Sequence, residues 1–313
     1  MTVTASSKSN DLNGLLSDYH PGPRIYSRTP ADWNDAPYTW FGVEPLTPTI
    51  GAVIKGVSLA NPVSPGLFQE LNRALLEWKV LFFRDQDITG EQHADFAAHW
   101  GPLESHPFIK LTTDQSHGKA EVVRFEKGAD LGGYENVWHS DVTWREEPSL
   151  GSVLRAIEVP EVGGDTMWSD MCAAYDGLND ATKERIEGLV AEHDWLYSFG
   201  LTMKPDERDE LRKDFPAARH PVVRTHPETG RKMLYVNRGF TQFIVDMDPD
   251  ESRALLEQLW IQASFGEYQC RWKWQPGDVA FWDNRSTQHY AISDYFPNRR
   301  VMERITVIGD KPF

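Results

Sequence analysis

The sequence predicts a mainly β fold with helical inserts, and three observations carry that expectation. From about residue 121 onward, short apolar or alternating pieces recur between turn residues, at 121–125, 150–156, 164–168, 220–225, 232–236, 268–274, 278–282 and 300–308. Many short strands at such spacing suit a double-sheet jelly roll or a barrel. Helical patterns interrupt these pieces instead of alternating regularly with them, which argues against a parallel βαβ sheet. No Gly-x-Gly-x-x-Gly follows a strand and no Walker A pattern is present, so nucleotide-cofactor folds fit poorly.

In chain order, residues 1 to about 20 are rich in Ser, Thr and Asn and read as a loosely attached arm. Pro21, Pro23, Tyr26, Trp33, Tyr38, Trp40 and Phe41 mark an irregular stretch pinned by its rings or used in an oligomer contact. The expected division is an N-terminal arm, residues 1–45, partly disordered or irregular, and a single domain, residues 46–313. Ser64 and Pro65 open a helix as cap and first helical residue, and Leu67, Phe68, Leu71, Leu75 and Trp78 follow at helical spacing. Residues 80–83 form an apolar run suited to a buried strand. Thr89 with Gln92 makes a capping box, and Gly101 can end that second helix. Further helices are expected at 181–191 and from Asp248, where a cap, Pro249 and Glu251 coincide before Leu255, Leu256, Leu259 and Trp260.

Composition narrows the partners. Among 313 residues there are 12 Trp, so a substantial core is available, and the formal net charge is −15. That charge disfavours nucleic acid or an anionic membrane as a partner, but a metal and a few Arg can reverse the sign locally for a small anion. Cys172 and Cys270 are the only cysteines, and the first 20 residues contain no long apolar run. The expectation is free thiols, no signal peptide or membrane span, and a cytoplasmic location.

The chemistry centres on Trp138-His139-Ser140-Asp141-Val142-Thr143-Trp144. In an extended segment residues i and i+2 share a face, with Cα atoms about 6.5 Å apart, so His139 and Asp141 could converge on one ion. They would be two ligands of a 2-His-1-carboxylate facial triad, a set that leaves Fe(II) open positions. His289, beyond the apolar run 278–282, is the best candidate for the third ligand. A rival His-x-Glu pair, His226 and Glu228, lies beside Gly230 in an expected hairpin turn, where solvent exposure argues against it. In the last strand Arg300 and Arg304 share one face, and Val301, Ile305 and Val307 share the other, which Glu303 breaks. Two buried guanidiniums need anions, either protein carboxylates or bound ligands, and spacing alone leaves both open.

Taken together these segments resemble the taurine dioxygenase family of Fe(II)- and 2-oxoglutarate-dependent oxygenases. WHSDVTW (138–144), GGDTMWSD (163–170), HPVVRTHPETG (220–230), WQPGDVAFWDNRSTQHYA (274–291) and RRVMERITVIGDKP (299–312) read as family segments in family order, over roughly residues 46–313. The resemblance implies a double-stranded β-helix (jelly-roll) core and a dimer or tetramer. It implies Fe(II) on His139, Asp141 and His289, with 2-oxoglutarate as cosubstrate held by Arg300 and Thr166, and O2 as oxidant. It implies a substrate sulfonate on Arg304 and His106, with Asn136, Val142, Ser198 and Phe199 at further pocket positions. The family's Asn is Glu135 here, with Asn136 adjacent. A pocket Tyr is Ile109, and a frequent His is Glu303. The implied reaction hydroxylates the carbon beside the sulfur of a small organosulfonate such as taurine. Sulfite and an aldehyde would be released, with succinate and CO2. An alkyl sulfate or an aryloxyacetate-like carboxylate is the alternative substrate. A binding protein without turnover and a cupin-type oxygenase without 2-oxoglutarate are the rival classes, against which the triad and Arg300 with Thr166 argue.

Overall fold

A computed structural model describes residues 26–105, 122–129, 135–196 and 198–313. The expected arm at 1–20, His106 and Ile109 lie outside the described residues. The chain is mainly β with helical inserts. Strands β1 (Gly42–Pro45) and β2 (Ala52–Lys55) lead to helix α1 (Pro65–Trp78), β3 (Val80–Phe83), α2 (Gly90–Ala97) and β4 (Val123–Lys127). There follow β5 (Ser149–Glu158), β6 (Thr166–Asp170), α3 (Met171–Asp176), α4 (Asp180–Ile186), β7 (Val190–His193) and α5 (Pro205–Asp214). The remainder is β8 (Ala218–Pro221), β9 (Val223–Thr225), β10 (Lys232–Leu234), β11 (Thr241–Ile244), α6 (Pro249–Trp260), β12 (Gln269–Trp272), β13 (Val279–Asp283), β14 (Thr287–Ala291) and β15 (Arg300–Ile308).

Local signals explain the helix starts. Ser64 accepts from the Leu67 N–H, Thr89 and Gln92 make the reciprocal capping box, and Asp248 accepts from the N–H groups of Asp250 and Glu251. The expected helix at 181–191 stops at Ile186. Glu187 is already extended, Gly188 takes φ +73°, and the chain enters β7. The single strand expected at 220–225 is two, because β8 pairs with β7 while β9 pairs with β10 in a separate hairpin. Helix α5 has almost no apolar face for a periodicity to detect, since its residues are nearly all charged and none is buried.

The largest sheet has seven strands in the order β1-β2-β3-β13-β5-β15-β4, and β12-β6-β14 form a second sheet of three. Period-two alternation builds the core between and behind them. Val80 and Phe82 of β3, Ala280 and Trp282 of β13, Leu154 and Ala156 of β5 and Met302 of β15 face one way, toward Trp168 and Trp272 of the second sheet. Leu81, Phe83, Val279, Phe281, Val153, Ile305 and Val307 face the other way, under α1 and α2. Trp168 and Trp282 are fully buried and meet edge to face at 5.7 Å. Truncating such a ring to Ala costs about 3–5 kcal/mol. A third apolar cluster joins α3 and α6 to β7, β10 and β11.

Candidate active site

Two of the candidate ligands are brought together by backbone pairing. His139 and His289 form an isolated antiparallel bridge and exchange both N–H···O bonds, at 3.1 and 2.7 Å. Such opposed residues project to the same face, and the two imidazole centroids lie 4.1 Å apart. Asp141 is not part of an extended segment, contrary to the expectation from the i, i+2 spacing. It opens a turn in which Arg145 N–H donates to Val142 O and Val142 takes φ 48°. Convergence comes from that turn: Asp141 Oδ1 stands 3.9 Å from the Nε2 of both histidines. One ligand atom from each of the three residues falls within 4.8 Å of the others, the one such group among the described residues.

Neighbouring groups set the protonation of each ligand. The Val137 carbonyl can only accept, so His139 Nδ1, 2.8 Å away, carries the proton and Nε2 keeps its lone pair for a metal. Burial, reinforced by His139, pushes the His289 imidazole down to about 3, so it is a neutral donor. Burial alone would raise the Asp141 carboxyl, but Arg304, His289 and His139 outweigh it and hold the group well below the usual carboxylate range. Arg304 Nη1 donates to Oδ1 at 2.7 Å and the Ser152 hydroxyl donates to Oδ2 at 2.9 Å. Asn284 clamps the Asp141 main chain, accepting from its N–H at 2.7 Å and donating to its carbonyl at 3.0 Å.

Beside this group lies a small cavity. His139, His289, Thr166, Arg300 and Arg304 all line it. The same-face expectation for Arg300 and Arg304 therefore holds, and Glu303 points the other way, to Arg124 at 3.1 Å. The two Arg differ in their partners. Arg304 pairs with Asp141. Arg300 Nε donates to Gly164 O at 3.2 Å, while its buried Nη2 has no hydrogen-bond partner. Thr166 Oγ1 accepts from Trp274 Nε1 at 3.0 Å, which leaves its own O–H free to donate toward the cavity. An orphaned buried guanidinium donor next to a free hydroxyl fits a carboxylate, as two imidazoles and one carboxylate fit Fe(II).

The remaining expected residues are placed as follows. Val142 is buried in a cluster with Trp144, Trp195 and Phe240, and Phe199 packs against that cluster, 6.2 Å from Phe240. Phe240 in turn meets His139 edge on at 6.0 Å. Ser198 donates to Gly239 O at 2.6 Å. Glu135 lines the cavity, 3.3 Å from Lys127 Nζ, whereas Asn136 is exposed. His226 is buried rather than exposed, and its Nε2 is 2.9 Å from Asp283 Oδ2, which Arg285 also grips. It belongs to the support of the β13–β14 turn that carries Asn284. Sequence reasoning missed Asn284, Ser152 and Trp274, whose partners lie on remote elements.

It also missed Gly239. A Cβ at that position would stand 2.9 Å from His139 Cβ, a contact no rotamer can relieve. Gly239→Ala is expected to displace His139 and weaken Mn(II) binding by about tenfold or more, read by equilibrium dialysis.

A His-Asp-His group, two of its members buried and His139 half-buried, beside a cavity with two cationic side chains defines the class: a mononuclear metal oxygenase site. A family profile described as "Taurine catabolism dioxygenase TauD, TfdA family" matches residues 42–306, and the chain belongs to that family. It is similar to an "Alkylsulfatase" of Acinetobacter baylyi, 38% identical over 273 residues that cover 85% of this chain and 84% of that protein. It is similar to an "Alpha-ketoglutarate-dependent sulfate ester dioxygenase" of Pseudomonas putida, 34% identical over 86% of this chain and 90% of that protein. Among solved structures it resembles a "Putative Alpha-ketoglutarate-dependent Taurine Dioxygenase from Burkholderia xenovorans", with TM-score 0.75 and 38% identity over 87% of this chain and 94% of that one. The chain is accordingly an oxidoreductase, a 2-oxoglutarate-dependent dioxygenase, with Fe(II), 2-oxoglutarate and O2 as the cofactors of its class. Among the described residues, no helix is long and apolar enough to cross a membrane.

Proposed function

We propose that the chain hydroxylates the carbon bearing the sulfur-based anionic group of a small organic substrate, converting 2-oxoglutarate to succinate and CO2. The observation that carries this reading is Arg300 and Arg304 on one face of β15, both lining the cavity of the His139–Asp141–His289 group. Fe(II) held there supplies the oxidising chemistry with O2, and the chain supplies position and electrostatics. Arg300 Nη2 and the Thr166 hydroxyl take the far carboxylate of 2-oxoglutarate. Arg304 spends Nη1 on Asp141 and keeps its other donors for the substrate anion, which turns the adjacent C–H toward the metal. Val142, Ser198 and Phe199 do not line this cavity and lie behind Phe240, which meets His139; with His106 and Asn136 they remain proposed substrate contacts.

A hydroxylated carbon next to a sulfate ester collapses to an aldehyde and sulfate, and next to a sulfonate to an aldehyde and sulfite. Phe125, Leu154 and Met302 give the cavity apolar walls suited to an alkyl chain. Those walls, with the two relatives named for sulfate esters, favour an alkyl sulfate. The second reading is an aminosulfonate such as taurine; the Glu135 carboxylate at the cavity wall is already paired with Lys127 and gives it no special support. An aryloxyacetate-like carboxylate would use Arg304 equally well. The deciding experiment is 2-oxoglutarate consumption over alkyl sulfates, sulfonates and aryloxyacetates, with sulfate and sulfite measured. Turnover that releases neither sulfate nor sulfite from any member sinks the sulfur-substrate reading.

We further propose that the two facing sheets are the halves of a jelly roll and that residues 46–313 are one catalytic domain preceded by an arm at 1–45, whose last residues, β1, pair onto the domain's largest sheet. The same reading makes the protein a cytoplasmic dimer or tetramer.

A further inference from the structure

Asp141 sits at the start of a turn whose next residue is strained. Val142 is β-branched and holds φ 48°, a conformation costing on the order of 1–3 kcal/mol that persists only where its surroundings over-determine it. Upstream, Asn284 fixes Asp141 itself. Downstream, the fixing group is His220 of β8, which does not line the cavity. His220 Nε2 lies 2.8 Å from Thr143 O and 2.9 Å from Arg145 O. Two carbonyls can only accept, so Nε2 carries the proton and donates to both, while Nδ1 is buried with no partner. The Thr143 hydroxyl, fully buried, meets His193 Nδ1 and Asn237 Nδ2, each at 3.0 Å.

We propose that His220 is a positioning residue for the metal centre. Its forked donation holds the carbonyls of Thr143 and Arg145 in the turn geometry that aims Asp141 Oδ1 at the two histidines. The inference rests on the reading that Asp141 is a metal ligand. A group hydrogen-bonded directly to a ligand is worth about 10–100-fold in metal affinity, and His220 acts one step further out, through the main chain of the turn, so its effect falls at the lower end. The donor must be a neutral N–H reaching two buried carbonyls, which imidazole provides and an apolar side chain does not.

The test is Mn(II) affinity of the full chain, measured anaerobically by equilibrium dialysis. His220→Ala is expected to weaken binding by about tenfold, the lower end of what a direct partner of a ligand costs. His220→Gln, which keeps an N–H donor, should recover most of that loss. At saturating metal, the KM for 2-oxoglutarate should stay within about twofold of wild type, since Arg300 and Thr166 are untouched. Leu255→Ala, in the separate cluster under α6, serves as the control for lost stability. Unchanged Mn(II) affinity in His220→Ala, a loss matched by Leu255→Ala, or a Gln variant as weak as Ala each overturns the proposal. Should His220→Ala fail to fold, His220→Leu, which fills the buried site with a side chain of similar volume but offers no N–H to the Thr143 and Arg145 carbonyls, reads the same clamp. A several-fold loss of affinity there supports the proposal and wild-type affinity overturns it. Wild-type Mn(II) affinity in Asp141→Ala would instead show that the metal reading itself has failed.

Discussion

Asp141→Ala is expected to abolish Fe(II)-dependent turnover of 2-oxoglutarate, with succinate formation falling by more than about 100-fold. That figure is the upper end of what even an outer partner of a ligand costs, and Asp141 is the ligand itself. Its carboxylate is also the hub of the site. Oδ1 faces both histidines and accepts from Arg304, and Oδ2 accepts from Ser152. Removing it takes away the only anionic donor of the His-Asp-His group and strands a guanidinium that is 9% exposed. Breaking a buried pair from one side costs about 3–5 kcal/mol, so the denaturation midpoint should fall as well. Asp141→Asn separates the two effects. It keeps the shape and the acceptor toward Arg304 but loses the charge, so metal affinity should drop with a smaller loss of stability. Wild-type succinate formation in Asp141→Ala would sink the assignment of the metal site.

What the sequence disclosed of this site follows from the range of the interactions involved. Alternation along 300–307 is a local property, so the shared face of Arg300 and Arg304 was readable, and so was the hairpin around Gly230. The cap signals at Ser64, Thr89 and Asp248 are local too, and the helices start where those residues stand. Asn284, Ser152 and Gly239 act on partners far along the chain, and nothing in a single sequence says which loops will meet. His226 was misread for the same reason, because a turn tip is ordinarily wet, and only Asp283 and Arg285 explain its burial. The geometry at Asp141 shows a subtler limit. The i, i+2 spacing led to convergence of the right side chains through the wrong local structure, since the turn at Val142 does what an extended segment was expected to do.

Arg304 carries the second large expected effect, and the structure makes it less simple than its position suggests. As a substrate anchor alone, Arg304→Ala would lower kcat/KM for the sulfur substrate by about 100-fold or more, the equivalent of about 3 kcal/mol for a lost charged hydrogen bond. The KM for 2-oxoglutarate would stay near wild type, since Arg300 holds the far carboxylate. Yet Arg304 also donates to Asp141 Oδ1 at 2.7 Å and offsets the burial that would otherwise raise that carboxyl. Truncation therefore removes a cation from the ligand as well as from the substrate, and the freed Oδ1 has less competition for a metal. The two roles act oppositely on two measurable quantities. Mn(II) affinity should be unchanged or tighter in Arg304→Ala, while kcat/KM for the sulfur substrate collapses. Arg304→Lys should keep the charge beside Asp141 but lose the planar fork, restoring metal affinity to the wild-type value and only part of the substrate effect. A variant in which 2-oxoglutarate binding fails first, with the sulfur substrate still bound, would show that the roles of Arg300 and Arg304 are exchanged.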